Sequence, residues 1–327
     1  MISIRMIMSI SLWSVTTLNF IFYFSVAYAQ FPTRPIRIVV PLPAGTSPDL
    51  FARHIGQKLS TVLKQPVIIQ NRPGANSVIG TAFVAKASKD GYTLLNASVQ
   101  HVMLKPLLGK LEFDPDTDFV PITTLSATEM VLVVSSSSKF NSVTELVNAA
   151  KLRPGELNFA TPGIGSPAHL AGQAFLSAAN INARHIPMKG STESVVAVAG
   201  QQVDYTITAV TNALPLIQAS KLRALGTTGS KRHDLTPAVL TMRELIPPGF
   251  IYETWQALFA PVGTPHFILQ QLNREAVKII NEPDTRDFFE RNGSSPRPRT
   301  LAASSDFVLS ESRRAIELVK AIGATAQ

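Results

Sequence analysis

From residue 36 onward the chain alternates short β-branched runs with stretches of helical periodicity, and that alternation leaves few folds open. A strand, a returning helix and another strand build a largely parallel sheet covered by helices. Residues 36–40 read as a strand, 48–63 as a helix with Leu50, Phe51, Ile55, Leu59 and Val62 on one face, and 67–69 as the next strand. Residues 76–87 read as helix and 93–95 as strand. The rhythm restarts with a strand at 131–134 and a helix opened by Ser142-Val143-Thr144-Glu145, the spacing of a capping box. Strands at 157–160, 184–187, 203–207 and 222–226 then alternate with helices near 167–179, 191–199 and 212–219. The tail holds one strand, 255–260, and helices from Pro265, Pro283 and Ser304. That is too few strands for a third sheet, so the tail belongs with the first. The expected fold is α/β, with two doubly wound lobes: lobe 1 from 30–130 and 255–327, lobe 2 from 131–254. The chain would cross between them twice, near 120–133 and 247–256, making a two-crossover hinge.

The first thirty residues read differently. Residues 6–26 are apolar, preceded by Arg5 and followed by Ala27-Tyr28-Ala29, the layout of a signal peptide with an A-x-A site cleaved before Gln30. The run is long enough to span a bilayer, but the small-residue site and the strand-like segment after it favour cleavage. No cysteine follows the site, so the mature N-terminus has no lipid attachment point, and the chain is expected to be free in the periplasm. Of 327 residues, removal of 29 leaves 298, more than one core usually organises. The absence of cysteine excludes disulfides, thiol chemistry and iron–sulfur ligation. Because the signal contributes only Arg5, the mature chain carries 29 basic against 22 acidic residues. That field favours anionic partners. It does not indicate nucleic acid, since no run of five basic residues occurs and the densest stretch, Arg291 to Arg299, contains proline and reads as a solvated loop.

Two strand-to-helix turns share one chemistry. Pro41-Leu42-Pro43-Ala44-Gly45-Thr46-Ser47-Pro48-Asp49 follows the first strand, and Thr161-Pro162-Gly163-Ile164-Gly165-Ser166-Pro167-Ala168-His169 follows the strand at 157–160. Each has glycine for a tight backbone, then Ser-Pro opening a helix, where serine caps and proline loses nothing by lacking an N–H. Free N–H groups backed by a helix dipole seat an anion. In open α/β sheets ligands sit at the carboxyl ends of strands, where both turns fall. Candidate ligand residues are therefore Pro43, Ala44, Gly45, Thr46 and Asp49 in one turn, and Gly163, Ile164, Gly165, Ser166 and His169 in the other. Asp49 adds negative charge to an anion site, so it either works through its backbone N–H or water, or is simply an acid in a first helical turn. His169 either donates to a carboxylate or packs as a neutral core histidine. His101 and Ser98, in the loop after the 93–95 strand, pose the same choice.

Enzyme signatures are missing. Gly163-Ile164-Gly165-Ser166-Pro167 is not G-x-S-x-G, because the serine falls one place late. The six histidines have no metal-ligand spacing, and neither a Walker loop nor a complete G-x-G-x-x-G occurs. No metal or cofactor is expected, and a hydrolase built on Ser166 would lack a visible base.

The segments from Pro35-Ile36-Arg37-Ile38-Val39-Val40-Pro41 through Asp49, Asn71-Arg72-Pro73-Gly74-Ala75 and Asp90-Gly91-Tyr92-Thr93-Leu94-Leu95 carry a family resemblance. Pro154-Gly155-Glu156-Leu157-Asn158, His169-Leu170-Ala171-Gly172, Lys189-Gly190-Ser191, Lys221-Leu222-Arg223-Ala224-Leu225 and Ala260-Pro261-Val262-Gly263-Thr264-Pro265 extend it over essentially the whole mature chain. In order and spacing the chain resembles the solute-binding proteins of tripartite tricarboxylate transporters, the Bug family. The resemblance implies lobes of the periplasmic-binding-protein type, a carboxylate ligand held in the interlobe cleft through the two turns, largely by backbone groups and waters, and delivery to the membrane permease subunits. A sensor that signals to a membrane kinase is the alternative among binding proteins. The chain departs from the family pattern at Thr46, usually glycine, and at Pro48, usually threonine. Ile207, Thr208 and Ala209 stand where the family usually has Phe-Asp-Asn. Without that acid a buried ammonium would lack a counter-charge, so the resemblance, with Thr208 in place, implies a non-amino mono- or dicarboxylate or an aromatic acid.

Overall fold

A computed structural model describes residues 31–247 and 249–321; the expected signal peptide, residues 1–29, lies outside the described residues. Strand β1 (Ile36–Val40) leads through helix α1 (Ser47–Leu63) to β2 (Val67–Asn71), α2 (Val78–Ala85), β3 (Thr93–Ser98) and α3 (Gln100–Leu108). The 17-residue β4 (Phe119–Ser135) follows. Then come α4 (Val143–Leu152), β5 (Asn158–Thr161), α5 (Pro167–Ala179), β6 (Arg184–Pro187), α6 (Ser191–Ala199), β7 (Tyr205–Ala209), α7 (Val210–Gln218) and β8 (Leu222–Thr227). The chain ends in α8 (Met242–Leu245), β9 (Glu253–Pro261), α9 (His266–Ile280), α10 (Pro283–Arg291), β10 (Ser295–Pro296) and α11 (Leu301–Ala321).

β1 is flanked by β2 and β3, both parallel to it. β3 pairs antiparallel with β9, which runs antiparallel along β4 from Phe119↔Pro261 to Glu129↔Glu253. From Met130 onward β4 changes partners and pairs antiparallel with β7 and β8, while β5 lies parallel between β7 and β6. One strand thus serves two halves of the fold: a first half of β1–β3, β9 and β10, and a second half of β5–β8. Both are α/β, as expected, and β4 with β9 marks the hinge region.

The second part of β4 is covered on both faces, and its sequence says so. Val131, Leu132, Val133 and Val134 have no exposed surface. Leu132 and Val134 join the larger core with Phe159, Phe175 and Tyr205, while Val131 and Val133 join Val195 and Val198 of α6 and Val210 and Ala213 of α7. Alternation along the strand divides the core between its faces, and each such side chain contributes about 1.5–3 kcal/mol by leaving water.

Four expectations change. β4 begins at Phe119, twelve residues before the strand read from the sequence, because its first part is polar. Thr123, Thr124 and Ser126 are nonetheless buried. The Thr123 hydroxyl donates to the Arg299 carbonyl at 3.0 Å, Thr124 binds the Arg297 carbonyl, and the Arg299 guanidinium donates to the Thr124 hydroxyl at 2.6 Å. The basic 291–299 stretch is therefore docked chain, with β10 paired to β4 at Ser126 and Ala127, and not a solvated loop. Residues 100–108 are helical although they lack a side-chain cap and contain Pro106. At the start of α4, Ser142 accepts from the Glu145 N–H at 3.1 Å, but the Glu145 carboxylate reaches Asn141 N, so the reciprocal bond is shifted by one residue. The complete capping box belongs to Thr241 and Glu244, opening α8.

Candidate functional site

The turn after β1 is shaped from within. Gly45 has φ +82°, and a Cβ there would meet nothing within 4 Å, so glycine is required for its backbone conformation and not for a close approach. Its N–H donates to Asp49 Oδ2 at 2.8 Å. The same carboxylate accepts from Asn71 Nδ2 at 2.9 Å and Arg53 Nε at 3.0 Å, and Asn71 also donates to the Leu42 carbonyl. Burial alone would raise the Asp49 pKa; the bonds from Arg53, Gly45 and Asn71 outweigh it and hold the carboxyl below its usual range. Asp49, only 2% exposed, is an ionised clasp inside the turn.

The turn after β5 is built the same way with a different side chain. Gly163 and Gly165 have φ +130° and +77°. Ser166 caps α5, accepting from the His169 N–H at 3.2 Å and donating to the Gly163 carbonyl at 2.7 Å. The Gly165 N–H donates to His169 Nδ1 at 3.2 Å. Burial first, then neighbouring His185, whose ring lies tilted 4.2 Å away, push the His169 pKa down to about 4. His169 is therefore neutral, and because Nδ1 accepts from Gly165 its proton is on Nε2. In each turn a glycine N–H is held by the side chain four residues on, in the first turn of the next helix.

Between the halves lies a cleft of about 320 Å³. Thr46, Ser47, Pro48, Ser98, Gln100, Thr128, Thr254 and Gln256 line one part, and Pro162, Pro167, Ala168, Ser191, Thr208 and Asn212 another. The structure thus brings Thr46, Ser98 and Thr208 together. Pro43, Ala44, Gly45, Gly163, Ile164, Gly165 and Ser166 belong to the turns without lining the cleft, and the Asp49 and His169 side chains are engaged inside those turns. His101 is elsewhere: it lies on α3, not in a loop, with Nε2 bound to the Pro115 carbonyl at 3.0 Å and its ring between Phe119 and Phe259. Full burial brings its pKa down to about 4.

No lysine, arginine, histidine, aspartate or glutamate lines the cleft among the described residues. Instead the first turns of α1, α3, α5, α6 and α7 reach it, through Ser47, Gln100, Pro167, Ser191 and Asn212. Each helix start carries about half a positive charge. The floor comes from the crossing strands through Thr128, Thr254 and Gln256, and Gln256 Oε1 is buried without a hydrogen-bond partner. Gln100, Ser191 and Asn212 were not among the candidate ligand residues, although each lies in the first turn of a helix that follows a strand. Thr128, Thr254 and Gln256 gave no signal beyond polar residues alternating within strands.

Comparison with known proteins bears on this cleft. The sequence profile of the tripartite tricarboxylate transporter family receptor matches residues 51–324. Protein BugT of Bordetella pertussis is 36% identical over 296 residues, covering 90% of this chain and 91% of BugT. Among solved structures, an R. palustris protein with adipate is similar at 29% identity and TM-score 0.76, over 90% of this chain and 98% of that one. MatC from Rhodopseudomonas palustris, with bound malate, is similar at 30% identity and TM-score 0.73, over 88% of this chain and all of MatC, 100%.

Proposed function

The chain belongs to the tripartite tricarboxylate transporter family receptors, and from that premise we propose that it captures a small dicarboxylate in the cleft and presents it to the permease subunits of such a transporter. The family is one of solute-binding receptors and not of enzymes. The observation that carries the reading is a cleft reached by five helix N-termini and, among the described residues, by no ionised side chain. N–H dipoles favour carboxylates, while an ammonium group would meet the positive ends of helices with no counter-charge. Helix starts from both halves favour an anion with a charge at each end. Adipate and malate, found in the two similar proteins, are ligands of that class.

In this reading the first turns of the helices that reach the cleft present backbone N–H groups to the ligand, and the hydroxyls of Thr46, Ser98 and Thr208 complete the contacts. Asp49 and His169 position Gly45 and Gly165 without touching it. The lobes are 30–130 with 255–327, and 131–254, and they close by a hinge at the residues where β4 changes partners. The protein works in the periplasm after cleavage before Gln30.

Titration calorimetry on the secreted protein tests this with straight-chain diacids of four to six carbons, their mono-amides and the matching amino acids. One-to-one binding of a diacid is expected. Loss of one charge-assisted contact is worth about 1.5–3 kcal/mol, so a mono-amide should bind roughly 10- to 100-fold more weakly. Equal binding of diacid and mono-amide, or preference for an amino acid, would refute the reading.

A further inference from the structure

β4 alternates at the hinge. Thr128 and Met130 line the cleft, and Glu129 between them enters a separate groove of about 440 Å³ on the opposite face of the strand. That groove also has walls from both halves: Lys231 and Asp234 after β8, and Arg291, Ser294 and Arg297 around α10 and β10. Glu129 is the register partner of Glu253 on β9, so two carboxyl side chains oppose each other across the crossing strands. Glu129 is 5% exposed, and its Oε2 and the Oε1 of Glu253 are buried without hydrogen-bond partners. A Cβ at Gly229 would collide with the Glu129 carboxyl carbon, so backbone of the segment after β8 lies directly on the carboxyl group. The same segment is tied to both strands, by Thr228 N–H to the Met130 carbonyl at 2.8 Å and Tyr252 N–H to the Thr228 carbonyl at 2.9 Å.

We propose that Glu129 and Glu253 form a proton-sensitive latch on the back of the hinge, coupling closure of the ligand cleft to release of a proton. The proposal rests on the hinged-receptor reading above. Cleft and back groove occupy opposite faces of the same strands, and each has walls from both halves, so closing one opens the other. With the back groove shut, Glu129 is buried against Gly229 and favours its neutral form; opening the groove hydrates it and favours the carboxylate. The charged and titratable groups around it are Glu253 from β9, Arg297 beside β10, Lys231, Arg232, His233 and Asp234 from the segment after β8, and Arg286, Glu290 and Arg291 from α10. Burial, then Glu253, raise the Glu129 pKa to about 7, Arg297 opposing and Asp234 adding to the rise. Glu129 therefore titrates in the neutral range. Below that range the protonated latch holds the cleft open; above it the ionised form favours closure, so ligand affinity increases with pH.

Two measurements on the full mature protein and on Glu129→Gln test this. Small-angle scattering of ligand-free protein between pH 5.5 and 8.5 should show a pH-dependent change of shape with a midpoint near neutrality in the wild type, and none in the variant. Calorimetry of diacid binding at pH 7, repeated in buffers of different ionisation enthalpy, should show release of roughly half a proton in the wild type and none in Glu129→Gln. The same shape change or the same proton release in both proteins overturns the latch. If no acid binds either protein, the receptor reading fails by itself, and the scattering still decides whether Glu129 governs the hinge.

Discussion

Replacing Asp49 with alanine should weaken carboxylate binding by roughly ten- to a hundredfold while leaving a folded protein. The carboxylate never faces the cleft, yet it gathers the first turn, binding Gly45, Asn71 and Arg53 at 2.8, 2.9 and 3.0 Å. Removing it leaves those donors without their acceptor, at about 1–3 kcal/mol for the buried ones, and frees Gly45 to leave the φ +82° conformation that aims the turn. Asp49→Asn keeps one acceptor oxygen and should recover part of the affinity. The sign of the pH dependence follows from the depressed pKa of Asp49. Its stabilising contribution is present above the unfolded value of about 3.9 and is lost as pH falls through the lower folded value. Thermal melts of wild type and Asp49→Ala should therefore differ at pH 7 and converge in strong acid. Calorimetry showing undiminished affinity in Asp49→Ala would remove the clasp from the site. The second turn differs, because its clasp is the neutral His169, which becomes charged only near pH 4.

Gly80→Val should lower stability by about 3 kcal/mol, near the upper end of overpacking effects. A Cβ at Gly80 would lie 2.7 Å from the Arg72 carbonyl oxygen and 2.9 Å from Pro41 Cα, both backbone atoms that cannot rotate away. α2 reaches the ends of β1 and β2 only because this position has no side chain. A β-branched residue also restricts its own rotamers inside a helix. Gly190→Val is the matched control, since Gly190 has extended backbone and nothing within 4 Å of an added Cβ, and it should melt close to wild type. Equal melting of the two variants would show that α2 can withdraw from the sheet at no cost.

The alternation of strand and helix was readable because most strands are buried by apolar residues and most helices open on Ser-Pro or a capping residue. Helix α5 at Pro167–Ala179 and α6 at Ser191–Ala199 match the sequence reading at both ends. The first part of β4 was not readable, because its buried threonines are satisfied by the carbonyls of Arg297 and Arg299, more than 170 residues away. Local pattern carries no trace of such a partner. The two turns were recognisable from glycine and Ser-Pro, and their common i to i+4 clasp was hidden because aspartate and histidine fill the same role by different chemistry. The helix starts at Gln100, Ser191 and Asn212 converge only once the sheet order is known.

β4 passes from one set of partners to the other without a break, and this limits the kind of motion the protein can make. A strand bonded along both of its parts acts as a leaf spring, able to flex where Glu129 gives way to Met130 but resistant to twisting about its own length. With β9 bonded alongside as far as Glu129↔Glu253, torsion is opposed twice. Under the proposed hinge motion, opening and closing follow a single arc, so the helix starts on the two sides return to the same alignment at each closure, and a solute too long for the cleft props the arc open without skewing it.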